Sequence, residues 1–310
     1  MLSVQSLNKI YKSGYLSHSD IYAVREVSFH VKGDEILGIL GESGCGKTTL
    51  GKMLVRLVNP TSGTITVGNT TVTKLRGKEL YRFWPHLQMV FQDPRASLNP
   101  RMKIIDSLME GLKISGKVTD DKVTITEILK KLNIREEILC RYPHEVSGGE
   151  IQRIVIARAL SAKPALIVAD EPTSNLDLSV QAQILNLLKS LHHEYSVPFI
   201  LISHDIDIVQ RICDRVVVMF KGRIVEEGST HEVLLTPLHP YTRTLIGAHT
   251  NDNEIPDTLV SHDEFHKPVL RGCPYASRCM YVVDQCSRDE SLLTGNGHKV
   301  ACHRMVPVEN

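Results

Sequence analysis

The sequence predicts an α/β fold with an open sheet whose ligand edge lies at the strand C-termini, and three observations carry that expectation. The apolar runs ILGIL, LIVAD and FILIS, at 36–40, 166–170 and 199–203, are continuous rather than alternating, as in strands buried on both faces. Polar residues follow, at the edge where open α/β sheets place their ligands. The stretches LGKMLVRLV and SVQAQILNLLKSLHHEY carry helical apolar spacing.

At 310 residues the chain has room for one large α/β domain and an appendage. Lys and Arg number 36 against 35 Asp and Glu, so no basic excess advertises nucleic acid, and no nucleic-acid partner is expected. No uninterrupted run of about 18 apolar residues occurs. The start MLSVQSLNKIYKSG lacks a cationic segment followed by an apolar one. A cytosolic chain is the expectation.

Taken in order, LSVQSLNKIY and IYAVREVSFHV alternate as antiparallel strands joined by KSGYLSHSD, with Tyr11 at the turn. After the glycine-rich loop, LGKMLVRLV reads as a helix stopped by NPTSG, and GTITVGNTTV as a returning strand. HLQMVFQDP is a short strand opening into a loop at Gln92. From about Ser97 to Tyr142 the spacing is mainly helical, and VSGGEIQRIVIARAL is a Ser-Gly-Gly turn feeding another helix. VVVMFKGRIVEEG reads as a hairpin turning at Lys221 and Gly222. The polar, aperiodic stretch NDNEIPDTLVSHDEFHKP suits a linker before a Cys-bearing tail.

The chemistry begins at GESGCGKTT. Gly41, Gly44, Gly46, Lys47 and Thr48 fit G-x-x-x-x-G-K-[ST], between a strand and a helix as the pattern requires. Glycines let the backbone approach an anion so that its N–H groups and the helix N-terminus face phosphates. Lys47 adds a point charge, and the Thr48 hydroxyl can hold Mg²⁺. Phosphoryl transfer also needs a held metal and an oriented water. Asp170, ending an apolar strand, suits Mg²⁺, and the adjacent Glu171 suits a general base. His204 closes a neighbouring strand, and Gln92 is placed to reach metal and water. Ser147, Gly148 and Gly149 make a second anion-binding helix end.

In this order the motifs resemble the nucleotide-binding subunits of ABC transporters, over about residues 2 to 248. The resemblance implies a P-loop NTPase core with the ABC-type, RecA-like sheet, an antiparallel β subdomain and a helical subdomain over about 97–158. It assigns ATP to the backbone and side chains of Gly41, Ser43, Gly44, Cys45, Gly46, Lys47, Thr48 and Thr49. Tyr11 matches the adenine-stacking residue. Thr48, Gln92 and Asp170 match the Mg²⁺ positions, Glu171 the catalytic glutamate and His204 the switch histidine. Ser147, Gly148, Gly149 and Glu150 match the signature that meets a partner's ATP, and Ser174, Asn175, Leu176 and Asp177 the D-loop. Glu150 departs from the usual Gln, and a working but slower composite site is expected. Hydrolysis coupled to transport implies a second ABC ATPase subunit, a related but different chain, together with two membrane permease subunits and an extracytoplasmic solute-binding protein. The place implied is the cytoplasmic face of the cell membrane, held peripherally.

The tail narrows the resemblance. Cys45, Cys140 and Cys213 are scattered, whereas Cys273, Cys279, Cys286 and Cys302 are separated by gaps of five, six and fifteen residues. In a reducing compartment such a cluster points to a metal before disulfides. Four thiolates suit Zn²⁺ or an iron–sulfur cluster, and these gaps exceed the usual zinc spacing. With LHPYTRTLIGA and FQDPRASLNPRM, the tail resembles the ATPases of oligopeptide, dipeptide and nickel importers, which implies a 4Fe-4S cluster. The expected layout is an ATP-binding domain over 1–248, a linker over 249–268 and a Cys-rich extension over 269–310. Peptide import is the expected task, with a nickel or metal-chelate importer as the alternative. A soluble ABC ATPase of DNA repair or translation would carry coiled coils or tandem cassettes.

Overall fold

The computed structural model describes residues 1–13, 19–114, 121–174, 176–250 and 272–304. The chain begins with β1 (Leu2–Ser13), β2 (Ser19–Val31), β3 (Ile36–Leu40), α1 (Lys47–Leu54), β4 (Ser62–Val67), β5 (Thr70–Thr71), α2 (Gly77–Phe83) and β6 (Leu87–Val90). The helices α3 (Ile104–Ile114), α4 (Asp121–Lys131) and α5 (Gly148–Ser161) follow. Next come β7 (Leu166–Asp170), α6 (Leu178–Tyr195), β8 (Phe199–Ser203), α7 (Ile206–Ile212), β9 (Arg215–Phe220) and β10 (Arg223–Ser229). The chain closes with α8 (Thr230–Leu235), α9 (Pro240–Thr250), α10 (Asp284–Arg288) and β11 (Lys299–Val300).

A four-stranded antiparallel sheet has the order β2-β1-β4-β5, and a seven-stranded sheet the order β11-β10-β9-β3-β8-β7-β6. In the larger one β6, β7, β8, β3 and β9 run parallel, while β10 and β11 are antiparallel additions. The continuous apolar runs are explained by two covered faces. In β8, Ile200 and Ile202 enter the core shared with α1 and the antiparallel sheet. Phe199 and Leu201 enter the core under the helices of the other face. β7 divides likewise, Val168 one way and Ala169 the other. Both faces being dry, neither strand needs the polar alternation seen in β1 and β2. The β9–β10 hairpin turns at Lys221 and Gly222, whose φ values of 42° and 80° match the left-handed pair that suits tight hairpins.

Two elements differ from the expected ones. GTITVGNTTV is two strands rather than one, because Gly68 at φ 58° reverses the chain between β4 and β5. α1 ends at Leu54, short of the expected Val58. Arg56 takes a left-handed φ of 59° and its guanidinium turns in to the Leu75 carbonyl at 3.3 Å. Among the described residues no helix is long and apolar enough to cross a membrane. From residue 251 the expected linker lies outside the described residues, as do 14–18 of the first loop and 115–120 between α3 and α4.

The Cys-bearing residues join the core sheet. β11 pairs with β10 through Glu226 and Glu227, and the Ala301 N–H donates to the Val225 carbonyl at 2.8 Å. The His298 Nε2 lies 2.6 Å from the fully buried Glu226 carboxylate, which also accepts the N–H groups of Leu238 and His239 at 2.8 and 2.9 Å. Arg25 and Arg223 both reach Glu290.

Candidate active site

The loop after β3 is held from three sides. The Gly222 N–H donates to the Cys45 carbonyl at 2.8 Å, and the Arg25 N–H to the Gly222 carbonyl at 2.8 Å, so the β9–β10 turn straps loop to β2. Gly46 has φ 108°, and a Cβ there would stand 2.1 Å from the Ala23 carbonyl oxygen. Only glycine fits this crossing. Ser43 and Gly44 are exposed, Cys45 is buried, and Thr49 is half-buried on α1. The Lys47 ammonium is 6% exposed and donates to the carbonyls of Gly41 at 2.6 Å and Glu42 at 2.9 Å. Its charge is met by neutral oxygens rather than a carboxylate, a setting that favours an anion beside it.

β7 and β8, parallel neighbours of β6 and β3, bring the remaining groups to the same edge. The Thr48 hydroxyl donates to Asp170 Oδ1 at 3.2 Å. Burial pushes the Asp170 carboxyl above its ordinary range, an effect the Thr48 bond partly offsets. A carboxylate that is 3% exposed beside a hydroxyl is a donor set that a divalent cation would satisfy. Glu171 follows at φ 46°, a left-handed conformation costing on the order of 1 to 3 kcal/mol for a non-glycine residue. Pro172 next to it disfavours the right-handed helical alternative. The Glu171 carboxylate links two other expected residues. Gln92 Nε2 donates to its Oε2 at 2.8 Å, and His204 Nδ1 lies 2.7 Å from its Oε1. The Ser174 hydroxyl lies 3.2 Å from the Gln92 carbonyl and 3.0 Å from that of Glu171. Glu171 is 17% exposed and His204 62%, so the triad opens to solvent on the histidine side.

The other expected residues are not gathered here. Tyr11 lies exposed on β1 with the Lys9 ammonium 4.9 Å from its ring centroid. Ser147 caps α5, and Glu150 turns back onto it. The Glu150 carboxylate accepts the Ser147 hydroxyl at 2.6 Å and its N–H at 3.2 Å, and pairs with Arg135 at 3.0 Å. The Ser147 bond is foremost in holding the Glu150 carboxyl below its ordinary range. A Cβ on Gly148 would make only ordinary contact with Leu176, while one on Gly149 would meet Val180 at 2.9 Å. Asp177 caps α6, accepting the Val180 N–H at 3.0 Å and the Ser179 hydroxyl at 2.7 Å. Asn175 lies outside the described residues. Because the Ser147 hydroxyl proton is committed to Glu150, Glu150→Gln is expected to raise ATP turnover about fivefold, the equivalent of one hydrogen bond of about 1 kcal/mol. Steady-state hydrolysis by the purified complex checks this, and an unchanged rate removes Glu150 as a brake.

Two residues outside the expected site, Tyr241 and Arg278, touch its loop. The Glu42 N–H donates to the hydroxyl of Tyr241 at 2.9 Å, and the Tyr241 ring, wholly buried, packs 4.4 Å from Phe220 and 5.6 Å from Tyr275. Arg278 pairs with the Glu42 carboxylate at 3.4 Å. The signal for Tyr241 in the sequence was the His-Pro-Tyr stretch, but nothing local couples it to a loop 199 residues earlier. Tyr241→Phe keeps the ring and deletes the acceptor. Roughly fivefold weaker ATP binding is expected, from about 1 kcal/mol of lost loop positioning, and a fluorescent-nucleotide titration reads it. Unaltered affinity would dissociate the loop from this contact.

Cys273, Cys279, Cys286 and Cys302 line one hollow with His239 and His303. Burial first, and the neighbouring Cys286, Cys302 and Cys279 in smaller measure, raise the Cys273 thiol to about 11. Among the described residues, the trio of His, Cys, Asp and Glu ligand atoms lying within 4.8 Å of one another is Asp205, Asp207 and His249; no three cysteine sulfurs meet that distance.

Fold and site together define a P-loop ATPase with a carboxylate joined to an amide and an imidazole beside its phosphate loop. Comparison with known proteins agrees. The profile described as "ABC transporter" matches residues 24–174, and that described as "Oligopeptide/dipeptide transporter, C-terminal region" matches residues 225–286. The chain is 42% identical over 324 residues to "Probable peptide ABC transporter ATP-binding protein y4tS" of Sinorhizobium fredii, covering 99% of this chain and 90% of that one. It is 41% identical over 270 residues to the oligopeptide transport ATP-binding protein OppF of Streptococcus mutans, covering 86% of each. Among solved structures, the dimeric post-hydrolysis ATP-binding cassette MJ0796, bound to ADP and Pi, superposes with a TM-score of 0.67 at 29% identity, covering 74% of this chain and 99% of that one. The chain belongs to the ATP-binding subunits of the ABC transporter family, and it is an ATPase.

Proposed function

We propose that this chain is the subunit whose ATP hydrolysis powers import of oligopeptides or dipeptides through a membrane transporter. The observation that carries the reading is the match of residues 225–286 to the oligopeptide/dipeptide transporter C-terminal region, a segment that here packs on the phosphate loop. The peptide transport names of the relatives support it.

In this reading Lys47 and the loop N–H groups from 41 to 49 hold the ATP phosphates, with Tyr11 against the base. Thr48, Asp170 and Gln92 would hold Mg²⁺, which supplies charge neutralisation at the phosphates. Glu171 takes the proton of the attacking water, and His204 and Gln92 orient that carboxylate through the two hydrogen bonds described. Ser147 to Glu150 and Ser174 to Asp177 meet the nucleotide of a second, related ATPase chain. Two permease subunits and an extracytoplasmic solute-binding protein complete the assembly, with this subunit held peripherally on the cytoplasmic face. Residues 1–248 form the ATP-binding domain, with the helical subdomain over about 97–158, residues 249–268 the linker and 269–310 the extension.

The four cysteines hold a 4Fe-4S cluster. Supporting this over a single Zn²⁺, sulfurs around one tetrahedral zinc with bonds of about 2.3 Å stand roughly 3.8 Å apart. No three of the four thiols lie within 4.8 Å of one another. The test of function is reconstitution of the whole complex in vesicles. ATP-dependent accumulation of a labelled peptide is expected; accumulation of a nickel chelate without peptide would overturn the reading.

A further inference from the structure

His239 stands just before α9 with its imidazole 1% exposed. Its Nδ1 accepts the Tyr241 N–H at 3.0 Å. A ring nitrogen that accepts carries no proton, so the neutral ring holds its proton on Nε2. The Nε2–H is therefore a donor, buried and without an acceptor among the described residues. Buried donors are nearly always paired, and one left alone calls for an acceptor. The ring lines the hollow with Cys273, Cys279, Cys286 and Cys302.

We propose that His239 is a hydrogen-bond donor to the sulfur of the cysteine centre, its Nε2–H meeting a thiolate or sulfide while Nδ1 caps the chain entering α9. This deepens the metal-centre reading of the cysteines and rests on it. Hydrogen bonds to ligand sulfur stabilise the charged form that binds metal and tune cluster potential. The same ring is one residue from Pro240 and two from Tyr241, so the centre and the tyrosine bonded to the phosphate loop share one rigid segment.

Two isosteres separate the roles of the two nitrogens. His239→Asn keeps an acceptor near Nδ1 and removes the donor to the hollow; His239→Gln keeps a donor near Nε2 and removes the cap. The full chain is reconstituted anaerobically with ferrous iron and sulfide, and in parallel with Zn²⁺. Metal content is measured first, then the rate of metal loss to a chelator. About tenfold faster loss is expected for the Asn variant, with the Gln variant close to the parent. An Asn variant that releases metal at the parent rate, or a Gln variant as fast as Asn, overturns the proposal. A parent protein that takes up neither iron nor zinc instead overturns the metal-centre reading itself, and the donor role falls with it.

Discussion

Glu171→Gln is expected to lower steady-state ATP turnover at least about 100-fold while leaving ATP binding in place, since a positioned general base contributes on the order of 10²- to 10⁴-fold. The substitution is nearly isosteric, so the buried neighbour Asp170 and its Thr48 bond at 3.2 Å keep their places. An amide cannot take a proton from water. It can still face Gln92 and His204, at 2.8 and 2.7 Å from the parent carboxylate, so orientation survives while basicity is lost. With hydrolysis blocked and binding intact, an ATP-dependent dimer should accumulate and elute early in size-exclusion chromatography. Turnover near the parent rate would take Glu171 out of the base role.

Gly46→Ala should abolish ATP binding, with affinity reduced by at least about 100-fold. The new Cβ would be 2.1 Å from the Ala23 oxygen and 3.6 Å from Gly222, at a backbone φ of 108°. Neither neighbour is a side chain that can swing away. Ala23 belongs to β2, and Gly222 is tied to Cys45 and Arg25 by bonds of 2.8 Å. The loop must therefore move, and with it Lys47 and the N–H groups that would meet phosphate. A displacement of about 1 Å in a positioning element is enough for a 10²-fold loss. Isothermal titration with a non-hydrolysable ATP analogue reads the effect; circular dichroism at the parent level would locate the loss in the loop. Parent-like affinity would mean that the loop tolerates the side chain.

Whatever depended on local pattern was legible in the sequence. β3, the phosphate loop and α1 follow from an apolar run, five spaced residues and a helical stretch. The strands carrying Asp170 and preceding His204 follow from their unbroken apolar character. What was not legible is set by groups far apart in the chain. That one carboxylate, Glu171, bonds both Gln92 and His204 requires β6, β7 and β8 to lie side by side, and no local pattern states that order. Glu150's turn back onto Ser147 is a local Ser-x-x-Glu cap, but its pairing with Arg135, fifteen residues earlier, carries no local signature. β11 is two residues long, too short for any periodicity, yet it joins the main sheet. The early end of α1 depends on the left-handed Arg56, whose guanidinium is drawn to Leu75. The role of His239 rests on an unpaired nitrogen, which only the packed chain reveals.

The pairing of β11 with β10 also bears on the order in which the chain can close its main sheet. Residues 299 and 300 come much later in the chain than β10, so the outer edge of β10 stays uncovered until that later segment has folded back onto it. An open strand edge is a template for pairing with another chain. A chain folded only as far as β10 thus presents an open seam at Glu226 and Glu227, which the cysteine-bearing segment covers.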